Sequence, residues 1–267
     1  MLTPIFDPQK TGRAMRIAAF MSGSGTNVIR LLERQRNLEK NEPGGSPFKL
    51  CFIFSDRSDQ QSQGEQIACD GGIPYISYDI RRFHELKGVK RTTRTPEGMN
   101  ARREFDSVPA LLIDAFDIDL IVLAGYMSYL TLHRCVNVHP GDLSICTADG
   151  KRKYVGDHAV ADAIANGETS LRSSTIWTDE GVDTGPLLMV SDPLPVELPS
   201  DLSELIKDSF AFEKVVGAHQ QRLKEIGDWN ILPLTIEMIA RGRFAFDEQK
   251  NVYVDGKPCP HGYRLGD

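Results

Sequence analysis

Arg16-Ile-Ala-Ala-Phe-Met-Ser-Gly-Ser-Gly-Thr-Asn-Val-Ile-Arg-Leu-Leu32 is the stretch whose reading decides the fold. Arg16 to Met21 is an apolar run of strand length, Ser22 to Asn27 is a glycine turn, and Val28, Ile29, Leu31 and Leu32 recur at helical spacing. A strand, a glycine turn and a helix start aim backbone N–H groups and the positive end of a helix dipole at an anion. A dinucleotide-binding fingerprint requires a third small residue three places after the second glycine, and Val28 stands there instead. The Gly-Lys-Ser/Thr of a nucleotide phosphate loop is missing too. Two readings remain open for Gly25, Thr26 and Asn27: a site for a single phosphate or carboxylate, or a plain tight turn.

Outward from this unit, strands and helices alternate. Lys49 to Phe54 reads as a second strand, residues 59–70 as a helix stopped by Gly71-Gly72, and Ile73 to Ser77 as a third strand. A helix follows at 104–116, a strongly apolar strand at Ile118 to Leu123, and a short strand at Val136 to Val138. This pattern predicts an α/β fold, a doubly wound, mostly parallel sheet with a Rossmann-like N-terminal half. Asp56 stands where a ribose-binding acid could, but the failed fingerprint leaves that reading little support. Ligands in open α/β sheets gather beyond the carboxyl ends of the strands, where the Gly25 turn, the Ala124-Gly-Tyr-Met127 turn and His139 all fall. The Met127 turn reads equally as a pocket wall or as core packing.

Within Cys135-Val-Asn-Val-His-Pro140, Asn137 and His139 share one face of the strand while Val136 and Val138 point into a core. An amide beside an imidazole pairs a carbonyl polariser with a proton shuttle. It also describes an ordinary hydrogen-bonded strand end. Further on, a helix is expected at 157–166, a strand at 171–177 and a strand at Leu187 to Val190, with a polar loop between the strands. Asp183 in that loop could orient and charge-stabilise His139, or form an Asx turn. A long amphipathic helix over 202–226, a shorter one over 233–241 and a hairpin from Phe244 to Tyr253 complete the reading.

The 267 residues are 40% hydrophobic and 25% charged with a net charge of -6, an ordinary globular balance that argues against nucleic-acid binding by bulk charge. Locally the sign reverses: between Arg81 and Arg103 stand Arg81, Arg82, Lys87, Lys90, Arg91, Arg94, Arg102 and Arg103. That segment is either a solvated face or a funnel for an anionic ligand. Five cysteines without a CxxC pair predict reduced thiols. The run Ile17 to Met21 is too short for a leader or a membrane span, so a cytoplasmic protein with no membrane contact is expected. Residues 1–14 read as an N-terminal extension, 15–243 as one catalytic domain, and 244–267 as a C-terminal hairpin and tail packed on it.

Ser22-Gly-Ser-Gly-Thr-Asn27, Val122-Leu-Ala-Gly-Tyr-Met127, Asn137-Val-His-Pro140 and Glu180-Gly-Val-Asp-Thr-Gly185, in this order, resemble the folate-dependent formyltransferases. The similarity is strongest to the branch that formylates glycinamide ribonucleotide in purine synthesis, and it runs from Met15 onward. It implies formyl transfer from 10-formyltetrahydrofolate to a primary amine, with Asn137, His139 and Asp183 as the catalytic trio. It implies the substrate phosphate on Gly25, Thr26 and Asn27. It also implies folate along Met127, Ser128, Tyr129, Leu130 and Asn137, with Arg103 near one of the ligands. The partners expected are a small amine and a folate, with no nucleic acid, and the chain a monomer or homodimer. No metal is expected, since His133, His139 and His158 lack a ligand spacing.

The chain also departs from that pattern. The family places Ser-Leu-Leu-Pro after His-Pro, where this chain has Gly141-Asp-Leu-Ser144 followed by a longer polar stretch over 145–153. Ser128 stands where the family carries arginine. These changes leave the trio intact and bear on the acceptor. A sugar-nucleotide N-formyltransferase therefore stays open, as does a non-catalytic folate- or nucleotide-binding module, though such a module has no need of a proton shuttle. A formyltetrahydrofolate hydrolase on the same trio stays open too, although such enzymes usually begin with a regulatory domain; a tRNA formyltransferase would end with a basic domain and is not expected here.

Overall fold

Met15–Met21 forms strand β1, buried along nearly its whole length, and its seven residues carry the order of the first half of the chain. Helix α1 (Thr26–Asn41) follows the glycine turn, then β2 (Phe48–Ser55), α2 (Gly64–Gly71), β3 (Tyr75–Ser77), α3 (Ile80–Lys87), α4 (Pro96–Ala115), β4 (Leu120–Leu123) and β5 (Cys135–His139). The computed structural model describes residues 1–265; residues 266–267, the end of the 244–267 segment, lie outside the described residues. The chain divides into two compact units, one of Phe6–Asn137 and the other of Met1–Ile5 with the chain from Val138 onward.

In the first unit the strands run parallel in the order β3-β2-β1-β4-β5, with β1 paired to β2 along its full length and to β4 from Ile17 to Phe20. Parallel strands covered on both faces must be apolar throughout rather than alternating. β1 and β2 meet that demand with Ile17, Ala18, Phe20, Phe52, Ile53 and Phe54, all fully buried. Rings from the sheet and from α4 interlock: Phe54 and Phe105 lie 6.4 Å apart edge to face, and Tyr78 stacks on Phe105 at 4.6 Å.

The second unit holds α5 (Ala159–Ala165), β6 (Ser174–Trp177), β7 (Leu187–Val190), α6 (Ser209–Leu223), α7 (Trp229–Ala240), β8 (Phe244–Phe246) and β9 (Val252–Val254). β6 and β7 pair antiparallel, as do β8 and β9, and Thr3–Pro4 adds an edge to β8. Tyr154, Val160, Ile164, Leu171, Leu194 and Leu223 pack as one apolar cluster. The fold is therefore α/β with a mostly parallel first half and antiparallel strands after it. No helix among the described residues is long and apolar enough to cross a membrane.

Several boundaries differ from the sequence reading. The helix expected at 59–70 starts at Gly64, since residues 59–63 form an irregular turn in which Asp59 pairs with Arg57. The helix expected at 104–116 starts at Pro96, capped by Thr95, whose hydroxyl accepts from Gly98 N at 3.2 Å. The single strand expected at 171–177 is two pieces, because Ser170–Leu171 pairs with Leu194–Pro195 while β6 pairs with β7. The helix expected over 202–226 breaks at Asp208, which caps α6, and then passes through a π turn at Lys224–Asp228 into α7. The Phe244 hairpin is present as β8 and β9.

Candidate active site

At the carboxyl end of β1 the glycine turn brings Gly25 to φ 66°, the left-handed region that glycine enters freely. A Cβ on Gly25 would lie 2.5 Å from Ile67 Cδ1 and 2.8 Å from Met21 Cε, so the ends of both side chains would have to shift. Gly25 caps α1 with no side-chain hydrogen bond, so the first-turn amides of a sixteen-residue helix have no side-chain acceptor. Thr26 and Asn27 are half-buried in that turn, and Asn27 Oδ1 is buried without a protein partner. An uncapped helix start with inward amides suits an anion.

Next to it the β4 turn is tied down by a carboxylate. Asp56, 2% exposed at the end of β2, accepts from Ser22 Oγ at 2.6 Å and from the Ser128 hydroxyl, while Met127 N donates to Ser22 Oγ at 3.0 Å. Both Asp56 oxygens are thus engaged by protein hydroxyls. Asp56 fastens the Met127 turn to the glycine turn and does not present a free acid to a ribose. Met127 itself stands 73% exposed, whereas Ser128, Tyr129 and Leu130 are half-buried.

The arginine of this region that lies inside is Arg102. Its Nε donates to Asp106 Oδ2 at 3.0 Å, its Nη2 to Asp106 Oδ1 at 2.6 Å and to the Tyr126 hydroxyl at 2.9 Å, and its Nη1 is buried without a hydrogen-bond partner. Asp106 Oδ2 also accepts from Thr131 N at 2.8 Å, so the pair holds both ends of the Tyr126–Thr131 loop. Burial raises the Tyr126 phenol well above its ordinary value, so it stays protonated. Arg103, singled out from the resemblance, is exposed, with Nη1 3.5 Å from Asn100 Oδ1. One helical step separates the two, and the inner stripe of α4 (Gly98, Ala101, Arg102, Phe105, Asp106, Pro109) passes through Arg102. Of the other cations over 81–103, Arg81, Arg82 and Lys87 pair with Asp59, Glu85 and Glu104.

β5 carries Asn137 and His139 two residues apart, with Val136 and Val138 buried between and beside them. The His139 ring, 4% exposed, is held on both nitrogens. Nδ1 lies 3.3 Å from Asp183 Oδ2, and Nε2 donates to Tyr154 O at 2.9 Å. Asp183 Oδ2 also accepts from Gly156 N at 2.8 Å. Gly141 makes the approach possible: a Cβ there would lie 2.7 Å from His139 Nε2 and 2.9 Å from Tyr154 O. The structure thus brings His139 and Asp183 together, and it adds two partners not foreseen, the Tyr154 carbonyl and the Gly156 amide. Backbone partners of this kind leave no residue-type signal. No cluster of His, Cys, Asp or Glu suited to a metal occurs among the described residues.

Residues 15–216 match the formyl transferase family, and the chain belongs to that family. It is similar to the phosphoribosylglycinamide formyltransferases of Haemophilus influenzae, with 25% identity over 92% of this chain and 96% of that one, and of Escherichia coli, with 24% identity over 93% and 98%. Among solved structures, the phosphoribosylglycinamide formyltransferase of Coxiella burnetii covers 94% of this chain and 99% of its own at 24% identity, with a TM-score of 0.64. Glycinamide ribonucleotide transformylase 1 of Symbiobacterium toebii gives 0.62 at 22% identity, covering 91% and 95%. These last two likenesses bear on the fold, which is that of the formyltransferases.

Proposed function

We propose that this chain transfers the formyl group of 10-formyltetrahydrofolate to the amine of glycinamide ribonucleotide. The observation that carries the reading is the buried His139–Asp183 contact, at 3.3 Å, on the strand that presents Asn137 two residues earlier. The Haemophilus influenzae and Escherichia coli relatives, which cover 92% and 93% of this chain, are named as phosphoribosylglycinamide formyltransferases, which supports this reading.

In this reading the amine nitrogen attacks the formyl carbon, and the carbonyl oxygen gathers negative charge that the Asn137 amide meets by donation. Losing one such donor typically costs about 10²–10³ in rate. The attacking nitrogen must shed a proton and the departing folate nitrogen must gain one. His139, steadied by Asp183 through Nδ1, serves that exchange once its Nε2 turns from the Tyr154 carbonyl to the substrate, a role worth about 10²–10⁴. The acceptor's phosphate rests on Gly25, Thr26 and Asn27, where uncapped α1 amides support an anion. The folate lies along Met127, Ser128, Tyr129 and Leu130 and against Asn137. Arg102, one step from Arg103, braces that loop.

The test is an acceptor screen with 10-formyltetrahydrofolate, following loss of the formyl group. Transfer to glycinamide ribonucleotide is expected, and His139→Ala should lower turnover far more than folate affinity. Turnover unchanged in that variant would overturn the acid–base role. Thr26→Glu places a second negative charge at the anion turn and should raise the acceptor KM; an unchanged KM would remove the phosphate assignment. A second acceptor class, the amino group of a sugar nucleotide, is favoured by one observation, the polar stretch over 145–153 where the chain leaves the family pattern. Release of formate with no acceptor present would instead mark a hydrolase.

A further inference from the structure

We propose that Arg152 is a positioning residue for the reaction: it anchors the turn that carries Asp183 and so sets the carboxylate against His139. The proposal rests on the reading of His139 and Asp183 as the acid–base pair of formyl transfer.

Arg152 ends a small hairpin built from the stretch that departs from the family pattern. Thr147 N donates to Lys151 O at 2.8 Å, Lys153 N donates to Ile145 O at 3.0 Å, and Cys146 bridges Arg152. From the end of that hairpin the guanidinium donates through Nη1 to Asp183 O and through Nη2 to Gly185 O at 2.8 Å. One planar fork thus holds the carbonyls on either side of Thr184, a geometry that lysine cannot copy.

The turn needs such a hold. Asp183 sits at φ 54°, a left-handed backbone that costs a residue with a Cβ about 1–2 kcal/mol. Its neighbours Glu180, Gly181, Val182 and Thr184 are exposed, so packing does little to fix it. Four residues after Arg152, Gly156 N donates to Asp183 Oδ2 at 2.8 Å, and between them the Tyr154 carbonyl accepts from His139 Nε2 at 2.9 Å. The segment from Arg152 to Gly156 therefore holds the backbone of Asp183, its carboxylate and the imidazole together. Arg152 is the side chain in this set that can be changed without touching the reacting groups.

The experiment compares Arg152→Ala, Arg152→Lys and the neighbouring control Lys151→Ala, whose side chain is 82% exposed and pairs with Asp149. Two readouts are taken: steady-state kinetics with 10-formyltetrahydrofolate and glycinamide ribonucleotide, and hydrogen exchange of the Gly156 amide resolved by NMR. Displacing a catalytic group by about an ångström costs up to about 10²-fold, so Arg152→Ala should lower kcat about 10–100-fold with both KM values near wild type. Added guanidinium ion should return part of the loss, and Arg152→Lys should fall between. Gly156 exchange should accelerate about tenfold or more while the amides of β6 and β7 keep their protection. Unchanged kcat and Gly156 exchange in Arg152→Ala would overturn the proposal, as would acceleration spread evenly over the whole unit. If the wild-type chain transfers no formyl group, the functional reading fails, and Gly156 exchange alone still decides whether Arg152 holds the Asp183 turn.

Discussion

Asp228 offers a prediction whose size follows from its surroundings. The π turn at Lys224–Asp228 places its carboxyl in the interior, 4% exposed, where Oδ1 accepts from Ser173 Oγ at 2.6 Å. Burial pushes the carboxyl up from 3.8 to about 6, against the pull of the Ser173 hydroxyl and Lys224. A folded value above the unfolded one means that the folded chain binds the extra proton, so stability falls as pH rises from about 4 to about 6. The gap, 6 − 3.8 = 2.2 pH units, is worth about 3 kcal/mol at about 1.4 kcal/mol per unit. Asp228→Asn keeps an acceptor for Ser173 and removes the charge. Urea unfolding of both proteins at pH 4 and pH 8 isolates the effect, because any fixed difference between acid and amide cancels in the comparison. The variant should gain about 2–3 kcal/mol over wild type between the two pH values, or about 4–12 °C in melting temperature. Curves that stay parallel across this range would show that Asp228 is not held as a buried acid.

Gly141→Ala should lower kcat about 10–100-fold and cost about 1–3 kcal/mol of stability, because the new methyl meets the His139 ring and the Tyr154 carbonyl. Turnover and thermal melting check both parts, and full activity would contradict the close approach. Gly25→Ala meets Ile67 and Met21 and a positive φ together, so it should destabilise by more than about 1 kcal/mol and raise the acceptor KM. Asp106→Ala strands the buried Arg102 charge and should cost about 3–5 kcal/mol in denaturant unfolding. Arg103→Ala, on the exposed side of the same helix, should stay within about 0.5 kcal/mol of wild type.

The elements that read directly from the sequence are those whose patterns are local. β1, β2, β4 and β5 are apolar runs bounded by turns, and the glycine turn after β1 carries its own backbone requirement. The basic residues over 81–103 hide the period at the start of α4, although Thr95-Pro96 is a helix start in its own right, a cap followed by a proline in the first turn. Arg103 rests on the resemblance alone, whereas the inner stripe that holds Arg102 emerges only once the helix is extended back to Pro96. The break at Asp208 had a capping signal as well, but the π turn had none, because it depends on how Asp228 meets Ser173 from another part of the chain. The same limit applies to His139. Its neighbour Asp183 was legible as a carboxylate in a polar loop, whereas Tyr154 and Gly156 act through backbone atoms that every residue possesses.

The left-handed backbone at Asp183, φ 54°, also limits which replacements can be informative or can persist in descent. Aspartate and asparagine enter this region more readily than other residues with a Cβ, and glycine enters it freely. Asp183→Asn therefore removes charge and keeps shape, whereas Asp183→Ala disturbs both and leaves them confounded. On the proposed reading, asparagine or glycine here keeps the backbone of the loop and loses the carboxylate that faces His139.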